Sequence, residues 1–205
     1  QLRGSGNAGR CARSAGAYRL MHYAGERGER EGFTLKKYTL GRKKMSELFP
    51  IIDELSDQNL AQTITDIWAD LFEQSAWDSI EEMNFCPGIN NFTLLSHINV
   101  ATEGTLALSR SVTKHQNISF NEDMIIALGL LHDVCKLLEY APDGRGGCVK
   151  TKLGRKLRDS DIGAVAAYNA GRCLGMCHLI ITHTPVSKLK TGITLDKLIW
   201  HSELA

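Results

Sequence analysis

Apolar residues from residue 46 onward recur every three or four positions, the spacing of one helical face. This pattern, or a continuous apolar run, predicts helices over 57–74, 93–114, 119–131, 135–140, 159–171, 173–182 and 194–205, with a short helix over 77–83. The chain is therefore predicted to be all-α, a helical bundle of about six to eight helices.

Polar residues punctuate these segments. Ser56 and Asp57 are placed to cap the helix over 57–74. Ser119 and Glu122 match the S-x-x-E capping box, just before the apolar run 124–131. Residues 141–147 contain Pro and three Gly and predict an open surface loop.

Residues 1–44 differ from the rest in composition. They carry 11 Lys or Arg against 3 Glu, contain eight Gly and show no sustained hydrophobic period. We expect a disordered, basic, Gly-rich leader, followed by one domain over 45–205. An organellar transit peptide would share the Arg-rich, acid-poor character, although glycines would interrupt its helix. We favour a third interpretation, a natural start at Met45, because residues 41–44 can be encoded by a purine run like a bacterial ribosome-binding site and the chain begins with Gln.

Residues 45–205 carry a net charge of −7, which argues against nucleic acid as a partner. One basic cluster, residues 150–158, is either a solvated charged stretch or a source of phosphate attraction near a pocket. Six scattered cysteines without a C-x-x-C pair indicate reduced, mostly buried thiols. Because no long apolar run or signal peptide is visible, we expect a cytoplasmic protein without a membrane partner. The oligomeric state is not predicted.

Four ionisable residues fall on predicted apolar faces. His132 and Asp133 end the most apolar stretch of the chain, where an ionised carboxylate requires a partner. His97 lies on the inward stripe of its helix, and Glu203 lies on the apolar stripe of the last segment. Each residue alone has an ordinary structural explanation. Two imidazoles and two carboxylates together favour a mixed nitrogen and oxygen site for Mn²⁺, Fe²⁺, Co²⁺, Ni²⁺ or Zn²⁺.

His178 and His183 lie on the predicted helix over 173–182 and at its end. A separation of five residues places them about 140° apart around a helix. At most one of the two is therefore expected to face any given metal.

The chain resembles the HD-domain superfamily of metal-dependent phosphohydrolases, whose pattern is H…HD…D. The first His motif is resembled by residues 92–101, and the L-H-D-x-x-K core by residues 129–136. Residues 180–185 and 199–204 resemble the later His segment and the last motif. The resemblance implies an HD-type helical bundle and a metal on His97, His132, Asp133 and Glu203.

The implied activity is hydrolysis of a nucleotide or another small phosphate ester through a metal-activated water. Mg²⁺ is a further candidate for the metal ion. In it, Asp133 would orient the water or take its proton, and Lys136 would bind phosphate or instead form a salt bridge to Glu139 or another acid. His183 would protonate the leaving oxygen or join a second metal.

The chain departs from the family pattern at two places. The final ligand is Glu203 rather than Asp, and residues 157–161 lack a His that some relatives have there. Asp159 and His183 are the candidates to substitute for that His. We expect one metal, with a second site open. Two alternatives follow, a non-catalytic nucleotide-sensing or scaffold domain and a di-iron oxygenase that would need a fuller set of six ligands. Because the sequence ends two residues after Glu203, we also expect a truncated fragment.

Overall fold

The computed structural model describes residues 36–89, 91–171 and 174–183, and over these the fold is mostly helical, as predicted. The helices are α1 (Arg42–Leu48), α2 (Gln58–Gln74), α3 (Leu94–Gln116), α4 (Glu122–Leu131), α5 (Lys136–Glu139), α6 (Asp159–Asn169) and α7 (Leu174–Thr182). A 3₁₀ helix, Pro50–Glu54, joins α1 to α2. The predicted helix over 194–205 and residues 1–35 of the predicted leader lie outside the described residues.

Side chains cap the starts of α2, α3 and α4. Asp57 accepts hydrogen bonds from the amides of Asn59 and Leu60, so the predicted cap of α2 is confirmed. At α4 the predicted capping box is wrong. Asn121 is the capping residue and accepts from the Met124 amide at 3.0 Å. Glu122 does not fold back on the helix start, because its carboxylate binds the Arg110 guanidinium.

Helix α4 is the centre of the core, as its continuous apolar sequence predicted. All of residues 125–131 are buried, and α4 packs against α2, α3 and α7. Trp68 of α2 donates its indole N–H to the Leu130 carbonyl at 2.8 Å. On the other side, α3 approaches so closely that a Cβ on Gly129 would lie 2.5 Å from Thr102 Oγ1. These contacts hold the start of α3 beside the end of α4.

Helix α6 packs against α7, and α7 packs against α4. Gly163 permits this contact, since a Cβ there would lie 3.1 Å from Ile180 Cγ2 and 3.9 Å from the His132 carbonyl oxygen. The small residues of α6 therefore serve close packing, and this packing brings the end of α7 to the end of α4.

The predicted leader boundary at residue 45 is too late, because residues 36–44 are part of the folded body. Lys36 Nζ donates to the Trp77 carbonyl at 2.6 Å, and the Lys37 amide donates to the Asp78 carbonyl. The Tyr38 hydroxyl accepts from the Ile80 amide. These bonds use backbone groups of residues 77–80, so the short helix predicted over 77–83 is also wrong. Residues 77–83 consist of turns, bends and irregular backbone, and the next residue, Asn84, forms a β-bridge with Thr93.

The predicted open loop over 141–147 belongs to a β-hairpin that an all-α prediction does not contain. Strands β1 (Tyr140–Pro142) and β2 (Cys148–Lys150) pair antiparallel, with Ala141 opposite Val149. Asp143 closes the exposed tip, where its Oδ1 accepts from the amides of Arg145 and Gly147. The hairpin follows α5 directly and therefore lies next to the candidate site.

Two predictions from composition can be compared with the described residues. Cys86, Cys135 and Cys148 are free thiols, and the last two are buried, as expected for reduced core cysteines. None of the described helices combines the length and the apolar character that crossing a bilayer requires.

Candidate metal centre

The structure brings three of the predicted ligands together. His97 lies in the first turn of α3, His132 follows the last residue of α4, and Asp133 is next in the chain. His97 Nε2 lies 3.2 Å from His132 Nε2 and 3.1 Å from Asp133 Oδ2, and His132 Nε2 lies 3.7 Å from the same oxygen. All three residues are buried, which confirms the inward orientation predicted for each.

The orientation of the His132 ring is determined by the end of its helix. His132 Nδ1 lies 2.7 Å from the Gly129 carbonyl oxygen, and because a carbonyl only accepts, Nδ1 carries the proton and donates it. Burial lowers the pKa of His132 to about 3, so the ring is neutral. A neutral ring protonated at Nδ1 presents the Nε2 lone pair towards His97 and Asp133. Metal-binding histidines commonly donate their second ring nitrogen in this way.

His183 repeats the arrangement at the end of α7. Its Nδ1 donates to the Ile180 carbonyl at 2.6 Å, and its Nε2 lies 3.6 Å from Asp133 Oδ1. The His183 and His132 ring centroids are 5.1 Å apart. His178, one turn earlier, is half-buried and not part of this group. The prediction that at most one of the two histidines faces the site is therefore confirmed.

The separations fit the ligand atoms of a transition-metal ion. Bonds of roughly 2.1 Å at coordination angles of 90° to 120° place neighbouring ligand atoms about 3.0 to 3.6 Å apart. Two of the three separations, 3.1 and 3.2 Å, lie in this range, and the third, 3.7 Å, lies just beyond it. The carboxylate is ionised: although burial opposes it, the Lys136 ammonium and the surrounding imidazoles hold the pKa of Asp133 well below its usual value. Asp133 Oδ1 is buried and accepts no hydrogen bond from the described residues. A buried anion beside two imidazole nitrogens fits a cation that completes the group.

Two aromatic rings hold His97 in place. The Phe85 ring centroid lies 4.2 Å from that of His97, and the Phe92 ring meets it edge-on at 5.9 Å. A backbone hydrogen bond from the Phe85 amide to the Phe92 carbonyl and a bridge between Asn84 and Thr93 join the two segments. These aromatic contacts were not predicted from the sequence.

Lys136 forms the salt bridge that was one of its two predicted roles, although Glu139 is not its nearest partner. Its ammonium lies 2.5 Å from Asp159 Oδ2, 3.5 Å from Asp133 Oδ1 and 3.9 Å from Glu139 Oε2. Burial acts against the charge, but these carboxylates outweigh it and raise the pKa of Lys136. Its phosphate-binding role stays a prediction.

Part of the basic cluster over 150–158 is paired within the protein. Lys150 binds the buried carboxylate of Glu139 at 2.8 Å, and Arg158 binds Asp161 at 3.0 Å. Arg155 donates to the Lys150 carbonyl. Each of these three residues therefore has a partner within the protein and does not need a bound phosphate to balance it.

Glu203, the fourth predicted ligand, lies outside the described residues.

Sequence reasoning missed the Gly129 and Ile180 carbonyls, which orient two imidazoles. The sequence did contain a signal for these two carbonyls. His132 and His183 each come directly after an apolar helical run, where the last carbonyls of a helix lack intrahelical donors. A His there can bond the carbonyl three residues earlier.

Comparisons with known proteins found no match: no protein-family model fits the chain, no curated protein is significantly similar to it, and no solved structure matches its fold.

Proposed function

We propose that the protein is a metal-dependent phosphohydrolase of the HD type, acting on a nucleotide or another small phosphate ester. The observation that supports this best is the group of His97, His132 and Asp133, whose ligand atoms all lie within 4.8 Å of one another. Two imidazole nitrogens and one carboxylate oxygen form a donor set suited to Mn²⁺, Fe²⁺, Co²⁺, Ni²⁺ or Zn²⁺. Glu203 is the proposed fourth ligand.

The roles of the residues follow from their positions. A divalent ion in such a site supplies Lewis acidity, which lowers the pKa of water and neutralises charge on a phosphoryl group. His97, His132 and Asp133 would hold that ion. Asp133 would also accept the proton of the attacking water at Oδ1, the oxygen that faces His183 and Lys136. His183, with Nδ1 committed to Ile180, would exchange a proton at the leaving oxygen through Nε2.

Metal content is the first test. The full chain, purified without added metal, is analysed for bound elements beside two variants, His132→Ala and the matched control His178→Ala, which changes a histidine of α7 outside the group. We expect one divalent ion per chain in the wild type and in His178→Ala, and loss of the ion in His132→Ala.

Activity is the second test. Phosphate release is measured from a panel of nucleotides and small phosphate esters with Mn²⁺, Co²⁺, Ni²⁺ or Mg²⁺. Turnover that His132→Ala abolishes supports the proposal. The proposal fails if no compound is hydrolysed and His132→Ala keeps the metal content of the wild type. Tight nucleotide binding without product would instead favour the non-catalytic alternative, and bound iron with consumption of dioxygen would favour the oxygenase.

A further inference from the structure

We propose that Asp159 is a positioning residue: it holds the Lys136 ammonium closer to itself than to Asp133 and so leaves Asp133 Oδ2 available to the metal. The inference rests on the proposed metal centre. It assigns Asp159 a different role from that of a substitute metal ligand, which its position in the sequence also allowed.

Lys136 is shared among three buried carboxylates. Its side chain is 11% exposed, and those of Asp133, Asp159 and Glu139 are between 4% and 12% exposed. The ammonium also lies 4.9 Å from the centroid of the Phe85 ring. Because this cation is withdrawn from water, its charge must be balanced by these carboxylates, and they compete for it.

Asp159 is the carboxylate with the closest hold on Lys136. Its Oδ2 lies 2.5 Å from Lys136 Nζ, and its Oδ1 accepts the Ser160 amide at 2.8 Å. The residue lies in the first turn of α6, where a negative charge is favoured by the helix dipole. Both carboxylate oxygens are therefore engaged, and one of them is anchored to the backbone.

Asp133 divides its two oxygens between two neighbourhoods. Oδ2 faces the two ligand imidazoles, while Oδ1 faces Lys136 at 3.5 Å, beyond a strong hydrogen bond. Without the Asp159 charge, the ammonium would be left with Asp133 and Glu139. It would then move onto Asp133 Oδ1, and its positive charge would lower the affinity of that carboxylate for a metal ion at Oδ2.

The test is a titration of the metal-free full chain with Co²⁺. Calorimetry measures the affinity, and visible absorption reports the coordination of the bound ion. Asp159→Asn should weaken Co²⁺ binding about tenfold, within the range for residues that support metal ligands from outside the coordination sphere. The absorption spectrum at saturation should stay that of the wild type, because no ligand is lost. Asp159→Glu, which keeps the charge, should recover most of the affinity.

The matched control is Asp161→Asn. Asp161 is another acid in the first turn of α6, but its partner is the exposed Arg158. Its replacement should leave Co²⁺ affinity unchanged. Thermal unfolding of each variant, with and without Co²⁺, checks that the fold is retained.

A double-variant cycle separates action through Lys136 from a direct effect. In a Lys136→Met background, Asp159→Asn should change Co²⁺ affinity by less than about twofold. If Lys136→Met does not fold, the comparison of Asp159→Asn with Asp159→Glu and Asp161→Asn carries the test.

Several results would overturn the inference while leaving the proposed function standing. They are unchanged affinity in Asp159→Asn, an altered Co²⁺ spectrum that makes Asp159 a ligand, and an equal loss of affinity with or without Lys136. Failure of Asp159→Glu to recover affinity would likewise overturn it. Absence of Co²⁺ binding by the wild type would overturn the proposed function and this inference together.

Discussion

Replacing Gly129 by Ala tests how closely α3 and α4 must approach to form the candidate metal centre. An added Cβ would lie 2.5 Å from Thr102 Oγ1, 2.7 Å from Thr102 Cγ2 and 2.8 Å from Thr102 Cβ. Thr102 is fully buried, and its hydroxyl donates to the Ile98 carbonyl at 2.6 Å. Since no side-chain rotation moves Thr102 Cβ, the two helices must separate.

The expected cost follows from these contacts. Overpacking a core costs about 1–3 kcal/mol, and a clash with an atom attached directly to the backbone belongs near the upper end, about 3 kcal/mol. Ala returns about 1 kcal/mol through its helix propensity. The free energy of unfolding should therefore fall by about 2 kcal/mol, which lowers Tm by roughly 4–8 °C in a chain of this size. Gly104→Ala, at an exposed position of α3, is the matched control and should gain up to about 1 kcal/mol.

Urea unfolding of both variants measures the difference, and Co²⁺ titration measures its effect on the site. Gly129 is three residues before His132 and Thr102 is five residues after His97, so separation of the helices should also weaken metal binding. Adding Thr102→Ala to Gly129→Ala removes two of the three clashing atoms and should restore part of the stability. Equal stability of Gly129→Ala and Gly104→Ala would refute the close helix contact.

Two further predictions concern the same region. The pKa of His132 is about 3 in the folded protein and 6.5 in its ordinary state, so the unfolded chain binds the extra proton between these values. Without metal, the urea midpoint should therefore fall as pH decreases from about 6.5 to about 3, and His132→Gln should flatten this dependence; a flat wild-type profile would contradict the burial of a neutral ring. Trp68→Phe leaves the Leu130 carbonyl without its indole donor and should lower the free energy of unfolding by about 1–3 kcal/mol, measured by urea denaturation. A loss no larger than that of an exposed substitution would show that this hydrogen bond is unimportant.

Helix periodicity was a good guide where one helix buries one face. The inward positions of His97, His132 and Asp133 followed from apolar spacing alone, and the structure buries all three. The same reasoning failed over 77–83. There the Trp77 and Asp78 carbonyls and the Ile80 amide bond residues 36–38, which lie about 40 positions away in the chain. Local spacing cannot report a partner so distant in sequence.

The sequence by itself determined the longer helices α2, α3, α4, α6 and α7 and which ionisable side chains on them point inward, because both depend on spacing within a single helix. The tertiary structure decided distances between helices: the 3.2 Å between the His97 and His132 nitrogens, the approach of His183 and the pairing of Lys136 with Asp159. These depend on contacts such as that of Gly129 with Thr102, which determine how far apart two helix axes lie. A helix-terminal histidine is visible in the sequence, whereas the ion-pair partner of a buried lysine is chosen only when the helices pack.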